Sequence, residues 1–67
     1  MPNTQFDMVM DSKTRTLIYN GTRKAVLEYI LANIEDDLVL QECLVNPGPN
    51  LTFYPVQQYL DMFRLSR

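Results

Sequence analysis

The chain is 67 residues long, with one cysteine, no histidine and a formal charge of −2. Its length is that of a single domain, residues 1–67; one cysteine cannot close an internal disulfide, and without histidine the commonest zinc ligand and the usual base for a serine or cysteine nucleophile are missing. A chain this short buries only about 60% of the surface its unfolded form exposes, so with disulfide and zinc set aside, association with another chain is the remaining reinforcement.

The opening MPNTQFDMVM has neither a basic n-region nor an apolar h-region, so no signal peptide is expected. No apolar run approaches the ~20 residues of a membrane span, so no membrane partner is expected. One free cysteine fits a reducing, cytoplasmic setting. From Gln5 to Met10 the residues alternate, with Phe6, Met8 and Met10 on one face and Asp7, Val9 and Asp11 on the other. Asp11-Ser12-Lys13-Thr14 reads as a turn, and Thr16 to Tyr19 as the returning strand of a hairpin. Both strands carry apolar residues on each face, so the pattern does not say which face meets a helix.

Thr22 to Ile34 has the longest helical repeat, with Asn20-Gly21 before it and Thr22 as N-cap. At about 100° per residue, Val26, Ile30 and Ile34 form one stripe, flanked by Leu27 and Tyr29, and Lys24, Glu28 and Glu35 oppose it. Leu31 falls near the polar face, so the apolar arc is wider than one sheet covers. The charges run against the helix dipole: Arg23 and Lys24 stand in the first turn and Glu35, Asp36 and Asp37 at the end, each at a cost of roughly 0.3–1 kcal/mol. Such inversions mark a place where compensation or function is to be sought.

Leu38 to Val45 reads as a strand, because Asp36-Asp37 disfavours a helix interior and the valines favour a sheet; a helix continuing from Thr22 is the alternative. Pro47-Gly48-Pro49-Asn50 breaks the chain, and Leu51 to Tyr54 is extended before Pro55, which suits the first position of a last helix. Val56, Tyr59, Leu60 and Phe63 make that helix's apolar stripe, and Met62 and Leu65 lie off it. The fold class is therefore a small single-domain α+β protein, β-β-α-β-(β)-α. Its antiparallel sheet has three or four strands, in order 2-1-3-4, with one or two helices on one face.

Catalysis is not expected. Ser12, Ser66 and Cys43 lack a base, Cys43 on a strand is a small buried hydrophobe, and no cofactor-binding motif or metal-ligand spacing is visible. Glu35-Asp36-Asp37 reads as a solvated helix end, without the ordered glycine-bearing loop of a calcium site. Residues 1–24 carry four basic and two acidic side chains, and residues 25–62 carry six acidic and none basic. The function expected is a non-catalytic protein-interaction or regulatory module, a homo-oligomer or a subunit with a protein partner. It would act through the C-terminal amphipathic helix, with Leu31, Tyr54, Tyr59, Met62, Phe63 and Leu65 as the partner surface. The alternative is nucleic-acid or anion binding by Lys13, Arg15, Arg23 and Lys24, the last two at a helix N-terminus. Lys13 and Arg15 lie at the far end of the second strand from that helix, and neither a phosphate loop nor a basic-aromatic platform is present.

Overall fold

Asp11 shapes the first hairpin. Its Oδ1 accepts the backbone N–H groups of Lys13 at 2.8 Å and Thr14 at 3.3 Å, an Asx-type turn that supplies the reversal. Arg15 closes the loop at φ 62°, in the left-handed region that side chains other than glycine seldom occupy. In the computed structural model, which describes residues 6–48 and 52–64, the flanking strands are β1 (Asp7–Met10) and β2 (Leu17–Gly21). They pair antiparallel from Asp7 with Gly21 to Met10 with Leu17, with a bulge that leaves Ile18 as the extra residue.

Thr22 then caps α1 (Arg23–Asn33) by accepting the Ala25 N–H at 3.2 Å, and Ile34 is its C-cap. Val26 and Ile30 are buried, Lys24, Glu28 and Glu35 are exposed, and Tyr29 stacks on Tyr19 of β2 with ring centroids 4.2 Å apart. The helix ends without glycine or a basic last turn. Side-chain amides bond carbonyls near its end instead: Asn33 donates to Tyr29 O and Gln41 to O of the C-cap Ile34, both at 2.8 Å.

The strand expected over residues 38–45 is half replaced. Leu38–Gln41 forms a short helix, α2, and only Leu44–Asn46 is strand, β3. Asp37 is the cause. Its carboxylate accepts the N–H groups of Val39 at 3.0 Å and Leu40 at 3.1 Å, which makes it an N-cap. A two-residue strand, β4 (Tyr54–Pro55), follows, and Pro55 precedes the last helix, α3 (Val56–Arg64), rather than opening it. Pro49, Asn50, Leu51 and Leu65 lie outside the described residues.

The sheet is antiparallel throughout, in order β2-β1-β3-β4, as chain direction predicts. Helices pack on the face that carries Val9 and Val45, where the core joins those residues to Val26, Ile30, Leu40, Cys43, Val56, Tyr59 and Leu60. Tyr19, Leu27, Tyr29, Ile34 and Phe63 close its rim. Asn46 is also buried, and its Oδ1 accepts no hydrogen bond from any described residue.

Candidate functional site

β1 has its polarity reversed. Alternation places Asp7 beside Val9 on the helix-facing side, where it is wholly buried, and turns Met8 to the other side. The carboxylate is saturated with donors. Oδ1 accepts the Gly48 N–H at 2.8 Å, and Oδ2 accepts Arg23 Nε at 3.0 Å and the Tyr59 hydroxyl at 2.5 Å. The Arg23 guanidinium also lies over the Phe63 ring, 4.0 Å from its centroid, and Phe63 tilts against Tyr59. Burial pushes the Tyr59 hydroxyl well above the ordinary tyrosine range, and the bond to Asp7 and its charge push the same way. Four segments meet here: the first strand, the start of α1, the turn after β3, and α3. With every donor aimed at one enclosed carboxylate, the arrangement fastens these segments together.

The four basic residues proposed for anions do not gather at one place. Arg23 is engaged with Asp7 and Phe63, while Lys24 beside it is exposed. Lys13 and Arg15 stand at the hairpin tip, roughly four residues or about 14 Å along the strand from the Gly21 end. Lys13 Nζ lies 3.7 Å from a Glu42 carboxylate oxygen, with both side chains well exposed, a contact of little energetic weight.

The proposed partner residues also divide. Tyr59 is completely buried and Tyr54 and Phe63 are half-buried, so the main stripe of α3 faces the protomer's own core. Leu31 and Met62 remain outside, 45% and 37% exposed. Leu38 and Val39 of α2 are exposed as well, the short helix turning them outward where a strand was expected.

A second set of exposed apolar side chains lies on the sheet face away from the helices, where Met10 and Leu44 are part-buried and Asn46 is buried. Register pairs Met10 with Leu17 on one side and with Leu44 on the other, and directly paired residues share a face. Met8 lies on that face between Asn20 and Asn46, and Pro55 opposite Leu44 continues it. Leu17 is 52% exposed, Phe6 just before the strand 51%, and Met8 and Ile18 are exposed too. A solvent-facing side of an antiparallel sheet ordinarily alternates to polar residues. This one does not. The alternation Phe6, Met8, Met10 carried the signal in the sequence, but not which face the helices would take.

Cys43 is buried beside Val39, to whose carbonyl its thiol donates at 3.2 Å; burial, with the charges of Asp11 and Asp37, raises its pKa. Among the described residues no three His, Cys, Asp or Glu side chains cluster so as to hold a metal ion, and no helix is long and apolar enough to cross a membrane. Comparison of the chain with protein-family models, curated proteins and solved structures finds no match.

Proposed function

We infer that the protein is a small non-catalytic interaction module whose working state is an association with another protein chain. One observation supports it above the rest: large apolar side chains stay uncovered on both layers of a fold with little core to spare, Met8, Leu17 and Ile18 on the sheet and Leu31, Leu38, Val39 and Met62 on the helices. A domain of this size gains a few kcal/mol from its own core, so covering that surface adds materially to its stability. Of the residues expected to meet a partner, Tyr59 lies in the core while Leu31 and Met62 stay exposed, which supports a contact at the exposed residues.

The test is an affinity pull-down from the native host with the tagged full chain, followed by mass measurement of the recovered complex in solution. A complex of fixed stoichiometry is the expected result. A chain recovered alone, and monomeric at every concentration reached, would overturn the reading.

A further inference from the structure

We propose that the outer corner between α1 and α2 binds a basic segment of another protein that also carries apolar side chains. Its apolar side chains would lie against Leu31, Leu38 and Val39, and its lysine or arginine side chains against Glu28, Glu35 and Asp36. This assignment rests on the interaction reading above and adds the surface and the chemistry of the partner.

Helical spacing makes the apolar part continuous. Leu27, Leu31 and Ile34 recur at i, i+4 and i+7, one stripe that runs down α1 to its C-cap. The bond from Gln41 Nε2 to Ile34 O, at 2.8 Å, ties α2 to that end. Leu38 stands three residues before Gln41, and so on the side of α2 that reaches α1. Leu27 and Ile34 are half-buried against the core, while Leu31 is 45% exposed, Val39 53% and Leu38 74%. Among the described residues no other large apolar side chain is as open as Leu38.

Charge decides the occupant. Glu28 neighbours Leu31 at i−3 on the helix surface. Glu35 follows the C-cap Ile34, whose φ −64° and ψ −28° are helical, and so stands near Leu31 at i+4. Asp36 lies in the turn beyond, and all three acids are exposed. They add to the negative end of the α1 dipole, where the last turn has no basic residue. At the other end of α1 the inverted charge is answered within the protomer, by Arg23 against Asp7. Here it is not: among the described residues the ion pairs are Arg23 with Asp7 and Lys13 with Glu42, and Lys24, one turn before Glu28, forms none with it. A cation from outside would relieve that repulsion, and an apolar side chain beside it would cover the leucines. The same acids repel a phosphate backbone or an anionic membrane, and a second copy applying this corner to its own would set each acid against its kind.

The test is an NMR titration of the full chain with three synthetic helical peptides, built from lysine and leucine, lysine and glutamine, or glutamate and leucine. The lysine–leucine peptide should bind best, with methyl shifts centred on Leu31, Leu38 and Val39 and an affinity that falls as salt is raised. Leu31→Gln combined with Leu38→Gln should weaken binding at least about tenfold, and so should Glu28→Gln combined with Glu35→Gln. The charge variant also relieves a clash with the helix dipole, so its unfolding midpoint should hold or rise, which separates lost binding from lost folding. Ile18→Gln, on the sheet, should leave binding unchanged. Failure of the lysine–leucine peptide to bind, equal binding of either other peptide, shifts centred elsewhere, or indifference to the corner variants each overturns the assignment. So does self-association of the chain alone through the same methyl groups. The pull-down above then decides separately whether another protein binds at a different surface.

Discussion

Arg23 stands in the first turn of α1, where the helix dipole disfavours a cation by roughly 0.3–1 kcal/mol. The buried Asp7 carboxylate, 3.0 Å from its Nε, supplies the compensation that the sequence called for without naming. Nothing local announces the pairing, because Tyr59 lies 52 positions from Asp7 and Gly48 lies 41. The sequence shows only that Asp7 shares a strand face with Val9 and that Arg23 is uncompensated, and neither says that Asp7 faces inward. Asp7→Asn keeps the shape and removes the charge opposite Arg23, and should cost about 2–3 kcal/mol in urea unfolding, much of the stability such a domain has. The hydroxyl of Tyr59 gives a pH signature. Its pKa is raised in the folded state, so the folded protein keeps the proton above about pH 10 while the unfolded chain releases it. The stability this proton confers is present below about pH 10 and declines as pH rises beyond it, by up to about 1.4 kcal/mol per unit. Urea titrations from about pH 9 to about pH 11.5 should show that decline in the wild type and a shallower one in Tyr59→Phe.

At the scale of elements, the parts with a single dominant period were legible. Thr22 and the Val26–Ile30 spacing placed α1 to within a residue, and chain direction gave the strand order. Residues 38–45 resisted for a definite reason. Leu38, Leu40 and Leu44 satisfy a strand's alternation, and Leu, Gln and Glu satisfy a helix. Aspartate disfavours a helix interior yet is a good N-cap. The strand expected over 38–45 follows from the first property of Asp37, and the fold uses the second. Asp37→Ala should therefore cost about 1 kcal/mol, measured by thermal or urea unfolding, while the same change at exposed Asp36, whose side chain caps nothing, should be close to neutral.

For the whole molecule, core and clamp are one unit. Cys43 lies in the core cluster that joins α1, α2, α3 and the sheet, so its thiol should be reached only when that cluster opens. A thiol reagent at neutral pH should label it at the rate of unfolding or slower, and in Asp7→Asn the labelling should accelerate in step with the lost stability; fast labelling of the intact wild type would contradict this. The candidate surface was legible only in part. Counting apolar side chains against so small a core pointed to an excess. Which of them stay outside depends on the face the helices choose, and that choice rests on contacts far apart in sequence.

The Asp7 knot also sets an order of events during synthesis. The carboxylate is made 52 residues before the hydroxyl that completes its shell. Until α3 exists, the nascent first strand has an acid where its neighbours need grease, so it gains little by docking early. The shell around Asp7 is complete only once α3 has been made.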